Sequence, residues 1–205
     1  MSKIEIDRII EFMNRTKPIE YGDPHISLDR IKEIDSSILP EIADTQELMS
    51  ICEFPIKQKW NLLYRATKDG FTSSRFHLKC DNTPNTLVII KSTDGNVFGG
   101  YTKNDWSGSI LMKSDPNAFI YSFINESNKA FKMKCILPER AIICNNNYGP
   151  WFTGGFCISN NSNINDRSVS IINNFLTKND FIENSCLTKT ENFQVSEIEV
   201  FTQHF

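Results

Sequence analysis

Six cysteines are the residues of this sequence with the most evident capacity for chemistry. They are Cys52, Cys80, Cys135, Cys144, Cys157 and Cys186. A thiol reduces peroxide as its thiolate, so such a cysteine needs solvent access and a lowered pKa. The sequence has no Cys-x-x-Cys pair, and Cys80, Cys135, Cys144 and Cys157 lie in or beside predicted helices and strands, where burial is expected. Cysteine-dependent peroxide scavenging is therefore kept as an alternative function rather than as the main prediction.

The three histidines do not predict a metal or catalytic site. His25, His77 and His204 fall in separate regions of the chain, and the sequence carries neither the nucleophile-elbow motif nor the zinc-protease motif. The glycines of residues 149–155 do not continue into the Lys-Ser or Lys-Thr ending of a phosphate-binding loop. We expect no catalytic residue, no cofactor and no metal, and we expect His77 to be a packed or surface histidine.

The elements that would position these side chains are organised around one predicted hairpin. Leu87–Ile90 is an apolar run of strand character that ends before a predicted turn at Thr93–Asn96. Within that turn, Asp94 and Gly95 can adopt the positive φ angles that a two-residue turn requires. Gly99 and Gly100 interrupt the second strand, which is typical of a bulge or of a place where a bulky group approaches the backbone. The bulky candidates nearby are Tyr101 and Trp106.

Alternating apolar residues predict further strands. Between residues 131 and 137, apolar side chains alternate with Lys132 and Lys134, which indicates one buried face and one wet face. Near the end of the sequence, Glu197 and Glu199 interrupt an apolar series and predict a final strand that is partly buried. The apolar members of that series are Val195, Ile198, Val200 and Phe201.

Helical periodicity dominates the first 50 residues. Residues 3–15 carry an apolar stripe, Ser27 is a plausible N-cap for a second helix that places Leu28, Ile31 and Ile34 on one side, and Glu41–Ser50 predicts a third short helix. A further helix is expected from Thr72 or Ser73 to Cys80. We therefore predict a helical N-terminal extension over 1–53 and a second domain over 54–205. The predicted fold class is α+β and mainly β, a two-sheet antiparallel β-sandwich with flanking short helices.

Composition narrows the possible partners. The chain has 205 residues and a formal net charge of −3, from 22 basic and 25 acidic residues. It lacks the excess of positive charge with which proteins bind the phosphate backbone, so we expect no nucleic acid partner. Its apolar runs are far shorter than the ~20 residues that cross a bilayer, so we expect no membrane insertion. The first residues lack the apolar core of a signal peptide, so we expect a cytoplasmic protein with reduced cysteines.

From Trp60 to Phe201 the sequence resembles the TLDc domain family. The matching segments, in family order, are LLYRATKDGF at 62–71, FHLKCD at 76–81, TLVIIKSTDGNVFGGYT at 86–102, DPNAFIYSF at 115–123, GPWFTGG at 149–155 and FQVSEIEVF at 193–201. The family typically has an Asp-Ile pair where this chain has Cys157 and Ile158.

The resemblance implies both a fold and a function. It implies a β-sandwich of two antiparallel sheets, which agrees with the strand patterns above. It also implies protection from oxidative stress and binding to the vacuolar-type proton ATPase, and it transfers no catalytic residues. The main prediction is therefore a non-catalytic protein-interaction domain that binds and regulates the cytosolic sector of that pump. The alternatives are the peroxide-scavenging enzyme and a homo-oligomeric structural module that uses the N-terminal helices.

Two tryptophans are the candidate partner-binding residues. Trp106 lies between Asp105 and Ser107, and Trp151 lies in a glycine–proline turn. Large aromatic side chains in loops are favoured anchors of protein interfaces. The alternative for each is that it packs back onto the sandwich as a core residue.

Overall fold

The computed structural model describes residues 34–55, 58–176 and 187–203. The chain divides into two units, Met1–Ile31 and Lys32–Phe205, and all described residues belong to the second. The predicted helices at 3–15 and from Ser27 lie outside the described residues, apart from Ile34, which is buried in a non-helical stretch. His25, Cys186 and His204 lie outside them as well.

The described residues form short helices and many strands. The helices are α1 (Ile42–Ile51), α2 (Ala66–Asp69) and α3 (Ser73–Cys80), with a 3-10 turn at Pro138–Arg140. The strands are β1 (Trp60–Arg65), β2 (Thr86–Ser92), β3 (Val97–Thr102), β4 (Leu111–Lys113), β5 (Phe119–Ile124), β6 (Phe131–Cys135), β7 (Ile142–Cys144), β8 (Tyr148–Phe152), β9 (Phe156–Ser159), β10 (Ser168–Ser170), β11 (Phe175–Leu176), β12 (Asn192–Phe193) and β13 (Val195–Gln203).

The strands form two antiparallel sheets that enclose a shared core. Sheet A has the order β1-β13-β2-β3-β5-β6-β11, and sheet B has the order β12-β10-β9-β8-β7-β4. Their inner faces meet, for example where Phe98 of sheet A and Phe156 of sheet B bring their ring centroids to 5.5 Å in an edge-to-face contact. The predicted class, a mainly β two-sheet antiparallel sandwich with short helices, is confirmed.

Helices α1 and α3 also form where the sequence predicts them. Helix α1 coincides closely with the predicted helix at Glu41–Ser50. Helix α3 begins after Thr72, whose side-chain oxygen accepts a hydrogen bond from the Arg75 backbone N–H at 3.3 Å. This is the N-cap arrangement in which a short polar side chain satisfies a free N–H of the first turn.

The hairpin of β2 and β3 is present, but its turn differs from the prediction. Residues 93–96 form a four-residue loop, closed by a hydrogen bond from the Ser92 N–H to the Asn96 carbonyl at 3.0 Å. Within this loop Gly95 alone has a positive φ, at +93°. The turn lies at Thr93–Asn96 as predicted, but the positive φ expected at Asp94 is wrong. The strands stop pairing at Lys91 and Val97, so the connection is longer than a two-residue turn.

The glycine pair of β3 is required by close packing, as predicted, but its bulky neighbours are different. A Cβ atom on Gly99 would overlap the Val88 carbonyl oxygen and lie 2.6 Å from the Tyr121 hydroxyl. A Cβ atom on Gly100 would lie 2.7 Å from Cζ of Phe152, which comes from sheet B. Tyr101 and Trp106, the expected neighbours, are absent from these contacts, because the approaching rings come from the adjacent strand and the facing sheet.

The outer face of sheet A is covered by the residues that precede β1. Ile38, Leu39, Leu48 and Met49 are buried against the sheet. They form a second apolar cluster, separate from the core between the sheets, with Trp60, Leu87, Ile89, Val97, Tyr101, Phe119, Tyr121, Phe123 and Phe201. The division into 1–53 and 54–205 stays a prediction, and we propose that the domain core includes the segment from residue 34.

Strand β13 forms as predicted but is more deeply buried than expected. It lies inside sheet A between β1 and β2, and Glu199 has no exposed surface. Its carboxylate forms an ion pair with Arg65 Nε at 2.7 Å and accepts hydrogen bonds from the Ser37 N–H at 2.9 Å and the Ser36 hydroxyl. A buried carboxylate is tolerated when its charge and lone pairs are satisfied in this way.

Candidate protein-interaction surface

Trp106 is a core residue. Its side chain has no exposed surface, and its indole N–H donates to the Thr86 hydroxyl at 2.9 Å. Its ring packs edge-to-face on Phe76 of α3 and on Phe152 of β8, with centroids at 5.5 and 5.7 Å. The expectation that Trp106 is exposed is not met, because its indole packs between α3 and β8 and bonds to β2. The packing alternative describes this residue.

Trp151 lies on the outer face of sheet B and is half-buried. It pairs with Cys157 of β9, which pairs in turn with Val169 of β10, so the three residues form one row across three strands. Successive residues of a strand face opposite sides, which explains why the next residue, Phe152, lies in the core with no exposed surface. The row therefore presents an aromatic, a thiol and a branched aliphatic side chain on the outside.

A shallow groove follows this row. Its volume is about 360 Å³, and its apolar walls include Trp151, Val169 and the 42% exposed Ile171. Tyr148 packs beside Trp151 with ring centroids at 5.0 Å. The exposed Arg167 also lines the groove and adds a positive charge. We call this feature the Trp151 groove.

The floor of the Trp151 groove is fixed by the turn between β8 and β9. Gly154 has a φ of +67°, and its carbonyl accepts hydrogen bonds from the N–H groups of Asn173 at 2.9 Å and Asn174 at 3.1 Å. A Cβ atom on Gly154 would lie 2.7 Å from the Asn174 Cβ. The positive φ and the close approach both favour glycine here, so the predicted turn at Gly154-Gly155 is confirmed. The pairing also jumps a residue between Tyr148 and Trp151, which confirms the bulge expected at Gly149-Pro150.

The surroundings of the five cysteines that the structure describes make their thiols unreactive. Burial raises the pKa of the Cys144 thiol to about 11 and that of Cys157 to about 12. Burial also raises the pKa of Cys135 and raises those of Cys52 and Cys80 further. A reactive thiol needs the opposite shift, toward thiolate at neutral pH. At these five positions the environment therefore stabilises the neutral thiol.

His77 has a structural role. It lies on α3 with 8% of its surface exposed, and its Nδ1 lies 2.8 Å from the Asp81 carboxylate. Its Nε2 lies 3.0 Å from the Asn145 carbonyl and 3.1 Å from the Tyr148 carbonyl. These contacts join α3 to the start of β8, which agrees with the prediction of a packed histidine.

The described part of the chain has neither a membrane-spanning helix nor a cluster of metal-ligating side chains. In residues 34–55, 58–176 and 187–203, no helix has the length and apolarity to cross a membrane. Within the same ranges, no three or more His, Cys, Asp or Glu side chains are grouped so that they could bind a metal ion.

Sequence reasoning identified Trp151 but missed the residues around it. Tyr148, Arg167, Val169 and Ile171 were not candidates, because each is unremarkable within its own segment. They share one surface only through the register of β8, β9 and β10, and that register cannot be obtained from one strand at a time. The aromatic pair within four residues, Tyr148 and Trp151, is the one local signal that was present.

Comparison with known proteins finds similarity to parts of longer chains. The sequence is 30% identical over 67 residues to MTOR-associated protein MEAK7 of Gallus gallus, over 33% of this chain and 14% of that protein. The match to the Xenopus laevis protein of that name is 31% over 71 residues, over 34% and 15%. TBC1 domain family member 24 of Xenopus tropicalis matches at 41% over 46 residues, over 22% and 8%. The matches thus take in only a small part of each relative.

A family model supplies the wider match. The model of the TLDc domain matches residues 34–204, which begins at the segment that covers sheet A and ends with β13. This range includes every strand described above. The chain therefore belongs to the TLDc domain family.

Proposed function

We propose that this TLDc domain is a non-catalytic protein-interaction domain of the cytoplasm that binds and regulates the cytosolic sector of the vacuolar-type proton ATPase. Membership of the TLDc family, over residues 34–204, is the observation that carries the proposal. The same proposal includes a link to oxidative-stress resistance, which the family resemblance implies. One relative is named for its association with MTOR, so an MTOR-containing assembly is the second partner to test.

The Trp151 groove is the surface that we propose for this contact. Trp151 is a half-buried indole beside Tyr148, and Arg167 lies at the same groove. Tryptophan, tyrosine and arginine are the residue types that most often dominate the binding energy of protein interfaces. A half-buried indole is also held by its neighbours before binding, so less side-chain entropy is lost when a partner arrives.

The raised thiol pKa values favour an interaction domain over the peroxide-scavenging alternative. At Cys52, Cys80, Cys135, Cys144 and Cys157 the neutral thiol is stabilised, which slows attack on peroxide. The purified 205-residue chain with a thiol reductant should therefore consume peroxide stoichiometrically or not at all. Catalytic turnover that disappears in a single Cys→Ser variant, Cys186→Ser included, would favour the enzyme.

The interaction itself is tested by affinity purification from native lysate with the tagged intact chain. Subunits of the cytosolic pump sector should be recovered, and Trp151→Ala should reduce their recovery. Leu78→Ala is a matched control, because Leu78 is 70% exposed on α3 and lies outside the groove. Failure to recover any pump subunit while the pump sector stays assembled would exclude this partner. Recovery of MTOR without the pump would redirect the proposal to that assembly.

The homo-oligomeric alternative depends on residues 1–50, most of which lie outside the described residues. It stays a prediction, and light scattering with and without those residues tests it.

A further inference from the structure

A second cleft lies on sheet A, on the opposite side of the sandwich from the Trp151 groove. It has a volume of about 480 Å³ and lies where the end of α1 meets the ends of β3 and β13 and the strands β5 and β6. Three of its lining residues are the lysines Lys103, Lys132 and Lys134. For a chain with a net charge of −3, this is a local concentration of positive charge.

One of the three lysines is held by the protein itself. The Lys132 ammonium donates to the Cys52 carbonyl at 2.8 Å and pairs with the Glu53 carboxylate at 3.1 Å. It also lies 4.1 Å from the centroid of the Phe119 ring. Because a helix C-terminus carries partial negative charge, Lys132 neutralises the end of α1 and fixes it beside the cleft. Its charge is already compensated.

The charges of the other two lysines, Lys103 and Lys134, are not compensated by any described carboxylate. Lys103 and Lys134 are exposed, and neither has an ion pair with a carboxylate of the residues that the structure describes. Lys134 pairs with Phe119, which pairs with Tyr101, so one row across β6, β5 and β3 runs from a cation to two aromatic rings. Lys103 follows Tyr101 by two residues, at the end of β3. The two free ammonium groups thus flank an aromatic floor.

The floor and the rim complete a site with mixed chemistry. The rings of Tyr101 and Phe119 are stacked at 5.4 Å with an interplanar angle of 24°, and each is 4% exposed. Asn117 and Gln203 add side-chain amides to the lining, and amides can both donate and accept hydrogen bonds. Phe54 is half-buried, lines the cleft and packs on both rings, with centroids at 5.1 and 5.8 Å. The cleft therefore offers apolar contact at Phe54, hydrogen bonds, and two lysines that no described carboxylate pairs with.

We propose that this cleft binds an acidic peptide segment of a partner protein, in which one or two Asp or Glu side chains lie next to an apolar side chain. The carboxylates would pair with Lys103 and Lys134, and the apolar side chain would rest on the half-buried Phe54. The amides of the rim would bind the peptide backbone. The cation count matches one or two carboxylates. A nucleic acid requires a longer basic track, and phosphate sites typically use arginine forks or helix N-termini, whereas α1 directs its C-terminal end here.

This inference does not depend on the identity of the partner proposed above. The cleft and the Trp151 groove share no lining residue. A failure to recover the proton pump would leave the acidic-peptide site unaffected, and the reverse also holds.

Nuclear magnetic resonance titration of the intact ¹⁵N-labelled chain tests the proposal. The probe is acetyl-Asp-Glu-Phe-amide, which carries two carboxylates, and its matched neutral control is acetyl-Asn-Gln-Phe-amide. The acidic probe should cause saturable shifts of the backbone amides at 101–103, 117–119 and 132–134, and the neutral probe should not. The double variant Lys103→Glu/Lys134→Glu should weaken binding by about tenfold or more. Raised salt should also weaken it, since the pairs are exposed.

The control variant is Lys68→Glu/Lys129→Glu, which changes the net charge equally at two exposed lysines outside the cleft. It should keep the affinity within about twofold. If the first double variant does not give a folded spectrum, Lys103→Gln and Lys134→Gln replace it. The proposal is wrong if no saturable shift occurs, if the neutral probe binds equally, or if the control loses as much affinity. Competition by inorganic phosphate at the same concentration as the peptide would also overturn it, by indicating a general anion site.

Discussion

The outer faces of sheets A and B carry similar apolar residues in different surroundings. On sheet A, Leu87, Ile89 and Phe201 are fully buried beneath α1 and the stretch that precedes it. On sheet B, Trp151 and Val169 remain half-buried in an open groove. The alternation of apolar residues along a strand identifies the two faces but not their cover. Exposure is decided by whether a distant segment packs on the face. On sheet B the half-buried row stays accessible to a partner, whereas on sheet A only the cleft beside the end of α1 does.

The largest expected effect is the difference in stability loss between replacing a fully buried tryptophan, Trp106, and a half-buried one, Trp151. Trp106→Ala should reduce the free energy of unfolding by about 3–5 kcal/mol, because it leaves a cavity in the core. Trp151→Ala should cost only about 1 kcal/mol, because its site opens to solvent. Urea denaturation of both variants measures the difference. Equal losses would mean that the outer face of sheet B is as closely packed as the core.

The second prediction tests what holds the cover on sheet A. Glu199→Ala should destabilise the protein by about 3 kcal/mol, since it leaves Arg65 and the donors of Ser36 and Ser37 without their acceptor. Glu139→Ala is the control, because Glu139 is exposed and should change stability by less than about 0.5 kcal/mol. Chemical denaturation followed by tryptophan fluorescence gives both values. A loss as small as that of the control would show that the cover does not need this carboxylate.

A third prediction concerns the two glycines of β3, which Tyr121 of β5 and Phe152 of sheet B approach closely. Gly99→Val and Gly100→Val should each destabilise the fold by about 1–3 kcal/mol through overpacking, because their new side chains meet Tyr121 and Phe152 respectively. Thermal unfolding measures this. Gly95→Ala provides a contrast, because its Cβ meets no atom within 4 Å and only its φ of +93° opposes the change. Melting of both valine variants like the wild type would mean that the close approach is easily relieved.

The smallest effect compares one cysteine from each face. Cys52 is 1% exposed and lies in the segment that covers the outer face of sheet A. Cys157 is half-buried in the Trp151 groove. Alkylation should be slow for both at neutral pH and faster at Cys157. Because burial raises the pKa of Cys157 to about 12, its rate should keep rising about tenfold per pH unit above pH ~9, where an ordinary thiol levels off. Mass spectrometry of the labelled protein resolves the two sites. A plateau for Cys157 near pH 9 would contradict the raised pKa.

The parts of the fold that depend on residues adjacent in the sequence could be predicted. The Thr72 cap, the strands on either side of residues 93–96 and the glycine turn at 154–155 all rest on local conformational preferences. The contacts of Gly100 could not be predicted, because Phe152 reaches it from the facing sheet. The burial of Glu199 was equally hidden, since its partner Ser36 lies 163 positions away.

The same distinction, between signals local in the sequence and contacts between distant segments, applies to the candidate sites. Trp151 was identified because a large aromatic residue in a glycine–proline segment is a local signal. The cleft that contains Lys103 was missed, although Lys132 and Lys134 were expected on the wet face of their strand. Its lining residues come from the segment after α1, from β3, β5, β6 and β13, and from the residues beside those strands, and they meet only when sheet A has its full strand order.

The position of β13 has a consequence for the newly made chain. This strand fills the place between β1 and β2, yet β2 ends at Ser92 and β13 begins at Val195. A ribosome adds about 5–20 residues per second, so β2 emerges roughly 5–20 s before its partner. During that interval two strand edges stand unpaired, and unpaired edges are sites of aggregation. Sheet A can therefore close only after residue 195 has been made, although the strands on both sides of the gap are complete about 100 residues earlier.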